Sequence, residues 1–169
     1  MRHLLYPSET SESTYSIPFD RLYDEGYRGV IFDIDNTLVP HGAPADQRSV
    51  ELFEKLHELG YQTILLSNNK EKRVSPFADA VESGYIYKAG KPSLKGYRKA
   101  MEMMGTTVGN TLFVGDQIFT DVWGANRAGI HTILVDQIDK KEEIQIILKR
   151  RLEAIVLLFY RMHLKRHGE

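Results

Sequence analysis

The chain has 169 residues and no cysteine, with 42% hydrophobic residues, 27% charged residues and a formal net charge of −1. This is about one domain's worth of chain with an ordinary globular composition, and it excludes disulfides, thiolate metal sites and cysteine nucleophiles. The near-neutral charge gives no pull toward nucleic acid, so no nucleic-acid partner is expected; the apolar runs fall well short of the roughly 20 residues that span a bilayer, and a cytoplasmic location fits.

The start, M-R-H-L-L-Y-P, is too short an apolar stretch for a secretory signal. The polar stretch S-E-T-S-E-S-T over 8–14 reads as a solvated loop. The first apolar run predicts a strand over 29–34. Val50, Phe53, Leu56 and Leu59 recur at helical spacing and predict a helix over 44–59, stopped by Gly60. A second strand follows over 61–66. The segment 70–82 reads as a helix with Pro76 in its first turns or at a break. A short strand over 85–87 comes next. Pro92 and the capping residue Ser93 then open a helix reaching about Met104. Strands over 111–114 and 132–135 flank a helix over 119–128, and a long helical pattern runs over about 142–167.

Strands alternating with helices through short connections imply parallel pairing by right-handed crossovers. Near-continuously apolar strands imply a sheet covered on both faces. The expected fold is α/β: a doubly wound, Rossmann-like, mostly parallel sheet with helices on both faces, no cap domain and an extra C-terminal helix. The expected organisation is a single domain over 1–169. Its catalytic core spans about 27–137, after an N-terminal arm over 1–26 and before a C-terminal helix over about 141–167.

Sites in such folds lie beyond the carboxyl ends of the strands, and the polar residues collect there. The first strand ends in Asp33-Ile34-Asp35-Asn36-Thr37 and the second in Ser67-Asn68-Asn69. The strand over 111–114 runs into Gly115-Asp116-Gln117, with Asp121 five residues after Asp116. Lys91 stands just before a helix start. Buried carboxylates repel one another and lose hydration, a cost that a hard divalent cation such as magnesium removes. Lysine, serine and backbone N–H groups would bind phosphate oxygens. One carboxylate can attack phosphorus to form an aspartyl-phosphate, and the other can protonate the leaving oxygen and then deprotonate water. Each residue alone has a plainer reading as a turn, a helix cap or a surface charge. Four such residues, each at the matching end of its own element, point together to phosphoryl chemistry.

These motifs resemble those of the haloacid dehalogenase superfamily of phosphohydrolases, over about residues 29–135. D-I-D-N-T over 33–37, Ser67 in L-L-S-N-N, Lys91 in G-K-P and G-D-Q-I-F-T-D over 115–121 are similar to its four motifs. The resemblance implies Asp33 as nucleophile and Asp35 as general acid/base. It implies magnesium held by Asp33, the backbone carbonyl of Asp35, and Asp116, with Asp121 as a further or outer partner. Ser67, Asn68 and Lys91 would bind the phosphoryl group, and Thr37 would steady the turn. Aspartate at both 33 and 35 favours phosphatase over dehalogenase chemistry. Only 29 residues separate Thr37 from Ser67, and 23 separate Ser67 from Lys91. Neither interval holds a cap domain, and an open site suits a large substrate with a protruding phosphate.

The strings S-N-N-x-x-x-R-V, Y-K-A-x-K-P and G-D-Q-x-x-T-D-V-x-G-x-N-R-x-G are similar to a capless branch related to mitochondrial phosphatidylglycerophosphate phosphatases. This implies a phospholipid headgroup as substrate and a place in phospholipid biosynthesis. Protein phosphates, nucleotides and nucleic-acid ends stay open as alternatives, as does a non-catalytic membrane or protein adaptor. Residues 149–167 carry a net charge of +5 with histidines neutral. A basic amphipathic helix of this kind can lie on an anionic bilayer, or it can pack its apolar stripe on the domain or on another subunit of a homo-oligomer. Lys70, Lys72 and Arg73 follow Ser67 and are candidates to meet an acidic substrate. His41 and His131 are given no role.

Overall fold

The computed structural model describes residues 3–139 and 144–167 of the chain. Its centre is a sheet of six parallel strands: β1 (Glu9–Ser11), β2 (Gly29–Phe32), β3 (Gln62–Leu66), β4 (Gly84–Ile86), β5 (Thr111–Gly115) and β6 (His131–Val135). Their spatial order is β1-β6-β5-β2-β3-β4, every neighbouring pair parallel. Successive side chains on a strand point to opposite faces. Val30, Phe32, Leu65, Leu112 and Val114 therefore enter one core layer, with α1 (Phe19–Asp24), α2 (Gln47–Leu59) and α3 (Glu71–Ala80). Ile31, Ile64, Leu66 and Phe113 enter the other, against α4 (Leu94–Met104) and α5 (Trp123–Arg127). Both faces are covered, so the central strands have no polar side to show.

From β2 onward the element order matches the sequence expectation, whereas β1 and α1 were not expected, and the differences have local causes. Helix α2 starts at Gln47 because the Asp46 carboxylate accepts from the Ser49 amide while the Ser49 hydroxyl accepts from the Asp46 amide, a closed capping box. It ends at Gly60, whose φ of 103° suits glycine. Pro76 lies well inside α3 and makes no break. It sits on the exposed side, where water can take the Lys72 carbonyl that its missing N–H leaves over. The helix expected over 119–128 begins instead as a π turn, Ile118–Val122, before α5 continues it.

Residues 8–14 are no plain solvated loop. Glu9, Thr10 and Ser11 form β1 on the open edge of β6, in register with Ile133, Leu134 and Val135. Ser8 prepares this pairing: its amide donates to the Thr132 carbonyl, and its hydroxyl accepts from the Thr132 amide. Unpaired edge groups of β6 are thereby satisfied.

Helix α6 (Ile144–His167) closes the same end of the molecule. The expected start near 142 falls outside the described residues. Residues 155–160 are apolar nearly all round, so the periodicity does not fix which side packs. Val156 and Leu157 pack on Ile118, Val122 and Leu134, and Glu153 is buried with them. Leu148, Leu152, Ile155, Leu158, Phe159 and Met162 face outward, five of them at least half exposed. Both sides of the helix are apolar, and burial of Glu153 with its partners decides which side turns inward. Among the described residues no helix is long and apolar enough to cross a membrane.

Candidate active site

The site forms at the carboxyl ends of β2, β3 and β5. After β2 the chain carries Asp33, turns through Asn36 at a positive φ of 60°, and returns through the Asn36 amide, which donates to Val39. Asparagine tolerates this conformation better than most residues. The Asn36 side-chain oxygen accepts from the Asp139 amide, tying the loop after β6 to this turn. The Thr37 hydroxyl lies 3.1 Å from Asp116 Oδ1 and 3.4 Å from Asp33 Oδ2, so it braces the acids as well as the turn.

Asp33, Asp116 and Asp121 converge, each offering a carboxylate oxygen within 4.8 Å of the other two, and all three are buried. Lys91 Nζ donates to Asp33 Oδ1 and to Asp121 Oδ1, each at 2.7 Å. Burial raises the Asp33 carboxyl well above the usual range; Lys91 opposes the rise, while Asp121 and Asp116 add to it. Burial pushes Asp116 up to about 6, reinforced by Asp121 and opposed by Arg150. Burial alone would push the Lys91 ammonium down, but Asp121 and Asp33 outweigh it and hold it above the usual lysine range. Three hard oxygen donors whose charges Lys91 and Arg150 compensate only in part fit a hard divalent cation. Asp121 is thus a full member of the cluster.

The π turn helps to place it. Such a turn carries one residue more than an α turn and recurs at functional sites. Asp121 Oδ2 accepts from the Gln117 amide at 3.1 Å and lies over Gly115, where a Cβ would stand 2.5 Å from that oxygen. Gly115→Ala should displace Asp121 and weaken metal binding by about 10-fold or more. Calorimetric titration with Mg2+ of wild type and variant checks this; equal affinities would show that Asp121 holds no metal.

Asp35 faces the other way. Its Oδ1 accepts from the Gly42 amide and from Arg73 Nη2, both at 2.8 Å, and its Oδ2 accepts from Asn69 Nδ2 at 2.6 Å. Arg73 is therefore tied to Asp35 and not held out toward solvent as a greeting charge. Ser67 lines the same pocket, and its hydroxyl accepts from the Asn69 amide. Asn68 grips Lys91 through both backbone groups: the Lys91 amide donates to Oδ1 at 2.7 Å, and Nδ2 donates to the Lys91 carbonyl at 3.2 Å. The resulting cavity is about 110 Å³ and is lined by Asp33, Asp35, His41, Ser67, Lys91 and Thr120 among others. Among the described residues no cap domain stands over it: the helix between β2 and β3 is α2, and α3 and β4 lie between β3 and Lys91.

Sequence reasoning gave no role to Asn69, His41, Arg150 or Glu153, all of which line or support this site. A signal for Arg73 existed, since it lies in the S-N-N-x-x-x-R string. Arg150 and Glu153 lie on α6, beyond every motif, and nothing local marks them.

A parallel sheet that gathers these acids and this lysine at its carboxyl edge defines a phosphohydrolase of the haloacid dehalogenase type. The chain belongs to the haloacid dehalogenase-like hydrolase family, whose model matches residues 43–129. It is a phosphatase of that type. It is 34% identical over 158 residues to the probable phosphatase YqeG of Bacillus subtilis, covering 93% of this chain and 92% of that one. It is 27% identical over 173 residues to phosphatidylglycerophosphate phosphatase 1 of Arabidopsis thaliana, covering 92% of this chain and 48% of that protein. The fold is similar to that of the cobalt-bound deoxy-D-mannose-octulosonate 8-phosphate phosphatase of Haemophilus influenzae. That match has a TM-score of 0.54 and 16% identity, over 66% of this chain and 69% of the other. A protein from Corynebacterium glutamicum matches with a TM-score of 0.52 and 21% identity, over 79% and 96%.

Proposed function

We propose that the protein is a magnesium-dependent phosphomonoesterase working through an aspartyl-phosphate, with phosphatidylglycerophosphate as its substrate. The observation that carries this is the buried Asp33, Asp116 and Asp121 cluster, in which Lys91 bridges Asp33 and Asp121, with Asp33, Lys91 and Asp35 lining one small pocket. Asp33, Asp116 and Asp121 would hold the magnesium, which when bound supplies positive charge against the nucleophile and the phosphoryl oxygens. Lys91 orients Asp33 Oδ1, and Thr37 braces Oδ2. Asp33 attacks phosphorus as the bond to the ester oxygen breaks. Asp35 delivers a proton to the leaving oxygen from Oδ2, its oxygen with the single neutral donor. It then takes a proton from water, which attacks phosphorus and frees Asp33. Ser67 and Lys91 bind the phosphoryl oxygens, while Asn68 fixes Lys91.

Three features support the lipid substrate. The Arabidopsis relative is a phosphatidylglycerophosphate phosphatase. The uncapped pocket admits a phosphate that protrudes from a surface. The outward side of α6 joins apolar side chains to Arg151, Arg161 and Lys165, a combination that suits peripheral contact with an anionic bilayer. The test compares phosphate release from phosphatidylglycerophosphate in mixed micelles with release from nucleoside monophosphates and a phosphoserine peptide, in magnesium and in chelator. Expected is a metal-dependent preference for the lipid of about 100-fold in kcat/KM. Faster turnover of a nucleotide or the peptide would replace the substrate, and no turnover of any phosphomonoester would remove the enzyme reading itself.

A further inference from the structure

Helix α6 reaches the site from a part of the chain beyond residue 129, where the family match ends. Three of its side chains bond to four consecutive residues after β5. Arg150 Nη2 donates to Asp116 Oδ2, and Arg150 Nη1 donates to the Asp116 backbone carbonyl at 2.6 Å. Glu153 Oε1 accepts from the amides of Ile118, at 3.0 Å, and Phe119, at 3.3 Å, where the π turn begins. Glu153 Oε2 also pairs with Arg150 at 3.5 Å. Lys149 Nζ lies 3.3 Å from Gln117 Oε1. The Asp116 side chain has no exposed surface and Glu153 is only 4% exposed.

A planar guanidinium that grips the carboxylate and the carbonyl of one residue fixes its side-chain torsion and its peptide together, which a point charge cannot do. With Oδ2 held by Arg150, the Asp116 oxygen left for a cation is Oδ1, shared with the Thr37 hydroxyl. We propose that Arg150 is a positioning residue that presents Asp116 to the metal. Glu153 supports it by holding Arg150 and the start of the turn that carries Asp121. The active site is then completed by the C-terminal helix. This rests on the metal reading of the acid cluster given above.

The test uses the full chain, stripped of metal, with Mn2+ as probe. Binding is followed by electron paramagnetic resonance and fold by circular dichroism and thermal melting in chelator. Arg150→Lys keeps the charge and the stem but loses the fork, so it should weaken Mn2+ binding about 10- to 100-fold. Arg150→Ala should weaken it at least as much. Glu153→Gln, which keeps an acceptor for the amides, should weaken it less. The Mg2+ concentration for half-maximal hydrolysis of an aryl phosphate should rise in parallel, with KM for that substrate little changed. Wild-type affinity in Arg150→Lys, whether or not the melting temperature falls, would make Arg150 a simple tie of α6 to the domain and overturn the proposal. Tighter binding in Arg150→Ala would make the guanidinium a competitor of the metal and overturn it too. If Arg150→Ala does not fold, Arg150→Lys decides. Failure of the wild type to bind Mn2+ would remove the metal reading itself, a result distinct from a change confined to the variants.

Discussion

Asp33→Asn should abolish turnover, by about 10⁴-fold or more in kcat, the scale on which enzymes lose rate when a covalent nucleophile is removed. Asp35→Asn should cost less, about 10²- to 10⁴-fold, because it removes proton transfer and leaves the nucleophile in place. The two should also differ in stability. Burial and the neighbouring Asp121 and Asp116 raise the Asp33 carboxyl well above its usual range, so its charge at neutral pH opposes folding of the metal-free chain. Asn at 33 relieves that opposition, and the metal-free midpoint of unfolding should stay level or rise. Asp35 accepts from Gly42, Asn69 and Arg73, and the substitution weakens the bond to a part-buried arginine. Its variant should melt lower. Steady-state hydrolysis of an aryl phosphate beside urea unfolding in chelator measures both; retention of a tenth of wild-type kcat by Asp33→Asn would rule out Asp33 as nucleophile.

What could be read from the sequence follows from where charge can sit in a buried sheet. The first strand, expected over 29–34 and formed over Gly29–Phe32, is apolar up to Phe32, so the acid straight after it stands where that strand opens to solvent. The same logic exposed Ser67 and Asp116 after β3 and β5, and the short intervals between motifs excluded a cap domain. Three features were hidden because they depend on partners far away in the chain. β1 has no apolar alternation, and it is a strand because the edge of β6 offers it hydrogen bonds. Asn68 reads as a phosphate ligand, yet it spends its amide on Lys91, 23 residues further along. On α6 the hydrophobic pattern could not choose a face, because both are apolar. The choice falls to Glu153, which accepts from the Ile118 and Phe119 amides, and to Arg150, which grips Asp116.

Lys91→Met should destabilise the metal-free protein by about 3–5 kcal/mol, the cost of removing one partner from a buried charge cluster. Lys91 Nζ bridges Asp33 and Asp121 with its side chain only 3% exposed, and methionine fills a similar volume without the ammonium. The deficit should depend on pH in a definite direction. The folded Asp116 sits at about 6 against 3.8 for an ordinary aspartate, and Asp33 is raised as well. A carboxyl raised in the folded state contributes stability that is complete below its unfolded value and is lost as pH rises through its folded value. The wild type without metal should therefore lose stability between about pH 4 and pH 7. Taking away the ammonium raises both carboxyls further and steepens that loss, so the gap between variant and wild type should be small at pH 5 and large at pH 7.5. Magnesium should narrow the gap at pH 7.5, since a cation on the carboxylates replaces the missing positive charge, and should do little at pH 5, where protons compete for the same oxygens. Urea unfolding at the two pH values, with and without Mg2+, gives all four numbers. A deficit equal at both pH values and indifferent to magnesium would show that Lys91 serves only to pack the pocket.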